Sequence, residues 1–305
     1  MTPSRRAALL AYLMLTGTAL FWSGNVVFGR GVSDQLPPLG LNFWRWTVAL
    51  LILLPFTWRT FAEQRSVIIG HWKILFLLAV LGITGFNSLA YIAFQTTTAI
   101  NAALINTLMP IFVVAITVGG FREPISKRQF LGLLSALAGT SIILTRGDPQ
   151  VLLDLDFTTG DIVMVVGMVG YALYSVLLRY RPPGLDGTDF LAIIAAIGVV
   201  LALPLYIAET VLVGPMPVTL VSVGMVAYVA LFASVLAYTF WNRGVAVIGA
   251  NRASLFLNLM PVFTAIAAIA FLGESLETFH FTGMALVFLG LLLATRKSRV
   301  HIDGS

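Results

Sequence analysis

Ten apolar runs, each about twenty residues long and bounded by charge, proline or glycine clusters, dominate this chain of 305 residues. A helix needs about 20 mostly apolar residues to cross the hydrocarbon core of a bilayer. Within that core every backbone polar group must be paired inside its own segment or a closed barrel. The runs predict membrane helices over about 8–28, 39–57, 73–94, 99–119, 128–145, 160–179, 189–208, 220–242, 250–271 and 279–295. Ten such spans use about 200 positions, and the remainder is too short for a water-soluble catalytic domain. Composition agrees, with 59% apolar and only 10% charged residues, against about 25% charged in ordinary soluble domains. Runs such as 191–203 are apolar on every face, unlike the alternating strands of a membrane barrel. The faintest boundary lies between the third and fourth spans, where only Gln95, Thr96, Thr97 and Thr98 interrupt the run. Arg5 and Arg6 ahead of the first run invite a signal-peptide reading, but that run is too long for one and lacks a small-residue cleavage site.

The balance of 18 Lys and Arg against 13 Asp and Glu gives a net charge of +5. In a membrane chain such an excess marks basic loops on the cytoplasmic side rather than a nucleic-acid partner. Only Arg30, Arg45 and Arg146 fall on one alternate set of loops, and the other 15 fall on the opposite set, which includes both tails. Both termini are therefore predicted to be cytoplasmic. Asp148, Asp154, Asp156 and Asp161 fall in the longest outer loop, after the fifth span. The absence of Cys excludes disulfides, thiolate chemistry and Cys-based metal sites. His71, His280 and His301 are scattered, so neither a metal site nor a cofactor is expected.

An internal repeat organises the spans. Residues 104–139 align without gaps on 255–290, so that Leu108, Met109, Pro110, Phe112, Glu123, Gly132 and Gly139 fall on Leu259, Met260, Pro261, Phe263, Glu274, Gly283 and Gly290. Upstream, Leu89-Ala90-Tyr91 matches Leu236-Ala237-Tyr238. The unit thus holds five spans, and an odd number makes the second copy enter from the opposite face. The chain is predicted to be all-α, with two inverted five-helix repeats, 1–147 and 148–305, around a central cavity. Inverted repeats recur in secondary transporters, which hold substrate near the bilayer midplane where the halves meet.

The five-plus-five plan, the Leu-Met-Pro stretches with their following Glu, the paired glycines of spans 5 and 10, Trp22-Ser23-Gly24-Asn25 and Arg45 resemble the drug/metabolite transporter superfamily in its EamA-type exporter branch. The resemblance covers nearly the whole chain. It implies export of small metabolites by alternating access, nearest to the bacterial exporters of aromatic and other neutral amino acids. Exporters of nucleosides and cationic drugs share these patterns, so a proton-coupled drug or nucleoside carrier is the alternative. The first copy departs from the usual Gly-Glu by reading Arg122-Glu123, and no role is carried onto Arg122.

Polar and aromatic residues within the spans are the candidates for a substrate cavity. They are Trp22 and Asn25; Asn87 and Tyr91; Asn101 and Asn106; Tyr171, Tyr174 and Ser175; Tyr238 and Trp241; and Ser254 and Asn258. An amide facing lipid would leave donors and acceptors unpaired, so these side chains are expected to point into the bundle, either to substrate or to neighbouring helices. Amides and aromatic faces suit an amino acid, since they meet its charged groups without buried protein charges. No acid lies in the middle third of a span, which favours facilitative or exchange transport over proton coupling. Arg45 is expected at the outer cavity mouth, attracting a carboxylate, or as an arginine extending outward to the interface. Pro110 and Pro261 each remove a backbone hydrogen bond and are candidate hinges or static kinks. Spans 5 and 10 carry small residues suited to close packing, within a monomer or a homodimer. No pattern for an enzyme's acid–base cluster or a channel's selectivity filter is present.

Overall fold

The structure, a computed structural model, describes residues 4–185, 187–272 and 277–295. Glu274 and the basic tail residues Arg296, Lys297 and Arg299 lie outside the described residues. Among those described, the principal helices are α1 (Arg5–Gly31), α2 (Pro38–Glu63), α3 (Trp72–Ala93), α4 (Ile100–Gly120), α5 (Lys127–Leu144), α6 (Thr159–Tyr180), α7 (Gly187–Leu212), α8 (Leu220–Ile248), α9 (Leu259–Leu272) and α10 (Thr278–Thr295). All but α5 and α9 are long and apolar enough to cross a membrane, and no strand occurs among the described residues.

The two exceptions have local causes. α5 opens on Lys127, Arg128 and Gln129, a polar first turn. The expected span 250–271 is divided into Ala250–Ala253, a 3-10 stretch Ser254–Asn258, and α9. Short polar side chains that bond back to the local backbone compete with regular helix. Ser254 Oγ donates to Asn251 O at 3.3 Å, and Asn258 Nδ2 donates to Leu255 O at 3.3 Å.

Helix starts follow the polar residues between runs. Thr98 caps the helix that becomes α4, its Oγ1 accepting from Asn101 N at 3.1 Å, which settles the faint boundary at Gln95–Thr98. Ser126 with Gln129, Thr158 with Asp161 and Thr219 with Ser222 form reciprocal boxes at the starts of α5, α6 and α8. Asp161 was expected in a tolerant outer loop. It is instead 2% exposed, accepting from Thr158 N at 2.6 Å, Asn101 Nδ2 at 2.9 Å and the Thr97 hydroxyl.

In the bundle α5 lies on α10, α2 on α7, α1 on α8 and α9, and α6 on α3 and α4. α5 and α10 run antiparallel in near backbone contact. A Cβ added at Gly132 would lie 2.6 Å from Gly290 O, and one at Gly139 would lie 2.5 Å from Gly283 O. Ser135 Oγ donates to Leu286 O at 2.8 Å across the same seam. Gly244 likewise admits Leu15, whose Cγ would stand 2.5 Å from an added Cβ.

Candidate functional site

Among the described residues three helices carry π-helical segments: α3 over Val80–Gly85, α4 over Ile116–Gly120 and α8 over Val229–Leu236. Such segments release carbonyls from the regular ladder and frequently mark functional sites. Inside a bilayer the released groups need partners. Gly82 O accepts from Asn87 Nδ2 at 2.9 Å and from the Tyr238 hydroxyl at 2.6 Å. Ala233 O accepts from Trp22 Nε1 and Arg45 Nη2, both at 2.9 Å. Ser234 Oγ donates to Val229 O at 2.8 Å.

These interactions gather side chains around a narrow central cavity of about 30 Å³. Its wall consists of Trp22, Asn25 and Val26 of α1, Arg45 of α2, Phe86, Asn87, Ala90, Tyr91 and Phe94, Asn106 of α4, Met164, Met168 and Tyr171 of α6, Tyr238 of α8, and Leu257 with Met260. Arg45 is 1% exposed. Its Nε donates to Ser234 Oγ at 2.5 Å and its Nη1 to the Tyr91 hydroxyl at 3.0 Å; that hydroxyl in turn donates to Asn25 Oδ1 at 2.9 Å. Trp22 holds the centre of an aromatic group, with ring centroids 5.5 Å from Tyr171, Tyr238 and Trp241.

Access differs at the two ends. Toward the face bearing residues 146–158, the cavity shares Val26, Asn106 and Met260 with a cleft of about 270 Å³. Toward the opposite face, Tyr171, Tyr174, Tyr238 and Trp241 pack together with centroids 5.2–6.3 Å apart, Tyr171 stacked on Tyr174 and the other pairs tilted or edge-on. Tyr174 donates to Asn242 Oδ1 at 2.8 Å, and Trp241 Nε1 to Ser175 Oγ at 3.1 Å. Beyond this plug lies a cleft of about 450 Å³ that shares no lining residue with the cavity, and at its rim Arg179 pairs with Glu123.

Eight candidates therefore meet at one place: Trp22, Asn25, Arg45, Asn87, Tyr91, Asn106, Tyr171 and Tyr238. Arg45 is neither at the mouth nor extended outward, because α2 begins at Pro38 and carries it two turns inward, where it caps the carbonyl freed in α8. Tyr174 and Trp241 belong to the plug, and Ser175 borders the far cleft. Asn101 is held at the end of the bundle by Asp156 O and Asp161. Ser254 and Asn258 are committed to the 3-10 turn, with Asn258 also accepting from Thr140 Oγ1 at 3.1 Å. Pro110 begins the second half of α4, just past a turn at Leu108. Pro261 lines the cleft that adjoins the cavity.

Sequence reasoning missed Met164, Met168, Met260, Phe86 and Phe94. Met164, Met168 and Tyr171 recur at helical spacing on α6, a signal that apolar surroundings conceal, since lipid-facing and cavity-facing methionines look alike in a membrane helix.

The chain matches the EamA-like transporter family over residues 9–145 and again over 158–296. It is 30% identical over 292 residues to YyaM, an uncharacterized transporter of Bacillus subtilis (strain 168), covering 95% of this chain and 94% of that protein. An uncharacterized transporter of Archaeoglobus fulgidus is 25% identical over 94% of this chain and 97% of its own length. Protein PecM of Dickeya dadantii (strain 3937) is 25% identical over 73% of each chain. A solved crystal structure superposes with a TM-score of 0.74 at 18% identity, covering 93% of this chain and 96% of its own, which shows a shared fold. The match over both halves, together with the apolar helices, shows that this multi-pass membrane protein belongs to the EamA-like transporter family.

Proposed function

We propose that the protein is a secondary transporter that exports small metabolites, foremost neutral and aromatic amino acids, across the inner membrane by alternating access. The observation that carries this is the central cavity, joined to an open cleft at one end and plugged by four aromatic rings at the other. A carrier needs a site exposed to one side at a time, and bundle-centred cavities between repeats are where such sites form. The charge asymmetry of the loops makes the open face the external one, so the molecule stands ready to release substrate outward.

Contacts between the halves support an inverted ten-helix repeat with units 1–147 and 148–305. Gly132 meets Gly290 while Gly139 meets Gly283, so each glycine touches the repeat-equivalent of the other. Reciprocal contact of this kind is the signature of a two-fold axis. Ser135 donates to Leu286, its own equivalent, which is where such an axis would pass. The pairings α1 with α8 and α9, and α6 with α3 and α4, also exchange under the same operation. Pro110 and Pro261 each follow a break in winding, a suitable position for a hinge.

Among the described residues no carboxylate lines the central cavity or the outer cleft, which supports facilitative or exchange transport. Counterflow into proteoliposomes is the test, using a panel of labelled neutral amino acids, nucleosides and cationic dyes. Saturable counterflow of an aromatic amino acid, little changed by an imposed pH gradient, is the expected result. Flux without saturation or counterflow would make the protein a channel, and strong acceleration by the gradient would make it proton-coupled.

A further inference from the structure

We infer that Arg45 anchors a substrate carboxylate, so that the cavity takes a small monocarboxylate carrying an apolar or aromatic body. This rests on the carrier reading above and names the chemistry of its site.

The first support is the state of Arg45 itself. A guanidinium is a permanent cation with five N–H donors. Three bonds engage it here, to Ser234 Oγ, the Tyr91 hydroxyl and Ala233 O, and all three partners are neutral. Its carbon also lies 5.5 Å from the Trp46 ring centre and 5.9 Å from that of Tyr91. The group is thus held in orientation while two of its N–H donors make no hydrogen bond. Among the described residues no carboxylate pairs with it, although it is 1% exposed. A charge buried in a membrane bundle is costly unless paired, and such groups mark substrate paths. A planar carboxylate is the natural partner of the guanidinium fork.

The second support is the sign of the route. Among the described residues, neither the cavity nor the cleft that shares Val26, Asn106 and Met260 with it has an Asp or Glu in its wall. A cationic solute would meet Arg45 with no carboxylate among the described lining residues to offset it. One fixed cation in the cavity wall matches one negative charge, which suits a monocarboxylate better than a phosphate dianion.

The third support is what faces the remaining volume. Trp22, Tyr171 and Tyr238 present rings, and Met164, Met168 and Met260 present flexible thioethers that adapt to varied apolar shapes. The Tyr171 hydroxyl, on a side chain 1% exposed, has no hydrogen-bond partner and offers the ligand a second polar contact.

The test is calorimetric binding to the purified full chain in lipid nanodiscs, using 3-phenylpropanoate, its neutral primary amide and 3-phenylpropylamine. The acid is expected to bind about 100-fold tighter than the amide, the scale of one desolvated charge pair, and the amine to show no binding. In Arg45→Gln the acid-to-amide ratio falls to within about threefold, and Arg45→Lys keeps a ratio of about tenfold. Equal affinity for acid and amide in the unmodified protein, or no binding of the acid, overturns the inference without any variant. A preference for the acid that survives Arg45→Gln overturns it as well. Saturable counterflow of a solute without a carboxylate, alongside equal binding of acid and amide, removes the carboxylate anchor and leaves the carrier standing. Absence of saturable counterflow across the panel removes the carrier reading itself.

Discussion

The α5–α10 seam and the α3–α8 region solve opposite problems. At the seam both helices keep regular winding, and contact is made chiefly by removing side chains at Gly132, Gly139, Gly283 and Gly290. In α3 and α8 the winding is π-helical, carbonyls are released, and long polar side chains are brought in to meet them: Asn87, Tyr238, Trp22 and Arg45. Lipid tails are as apolar as leucine, so hydrophobicity does not hold helices together here. Close van der Waals contact braces one region, and hydrogen bonds to irregular backbone organise the other. The groups that satisfy the backbone are also the ones that line the cavity, so the site is a by-product of the irregular winding as much as an addition to it.

The largest effect that would expose this difference is expected at the seam. Gly139→Leu drives a side chain into Gly283 O and the backbone of Val287. Overpacking costs about 1–3 kcal/mol where side chains can yield, and backbone yields less, so thermal unfolding in detergent should fall sharply or monodisperse protein should be lost. The same change at Gly224, where an added Cβ meets nothing within 4 Å, should leave the melting temperature within a degree or two. Equal tolerance at both positions would mean that the seam is not a brace.

A smaller effect is expected at α3. Asn87→Leu removes the Nδ2 bonds to Gly82 O and Ile83 O and a partner of the Tyr238 hydroxyl, at about 1–3 kcal/mol for polar groups left unpaired. Hydrogen exchange should quicken in α3 while α10 stays protected. Uniform loss of protection would show that the two regions are not separate. The smallest effect belongs to Ser234→Ala, which removes one donor to Val229 O and one acceptor for Arg45 Nε. It should cost about 1 kcal/mol, read as a modest drop in melting temperature that is less than the Asn87→Leu drop.

Membrane residence, the helical class and most span boundaries were legible in the sequence because a bilayer imposes one rule everywhere: about twenty apolar residues per crossing, with polar residues at the ends. Thr98, Ser126, Thr158 and Thr219 stand where that rule predicts caps. The divided winding over 250–272 was not legible, since Ser254 and Asn258 bond locally in a way that hydropathy does not register. Eight of the candidate polar residues meet at the cavity, whereas Asn101, Tyr174, Ser175, Trp241, Ser254 and Asn258 lie at a clasp, a plug, a far cleft or a turn. A polar residue in a membrane helix must face inward, but inward includes every helix–helix contact.

The sequence by itself determined that the chain crosses a membrane many times and repeats itself, because both properties are carried by local pattern. Only the tertiary structure decided which inward-facing groups share one cavity, and that Arg45 is among them. That depended on where α8 loses its regular winding and frees Ala233 O. A carbonyl released on one helix selects its partner from another far away in sequence, and no periodicity along the chain encodes that choice.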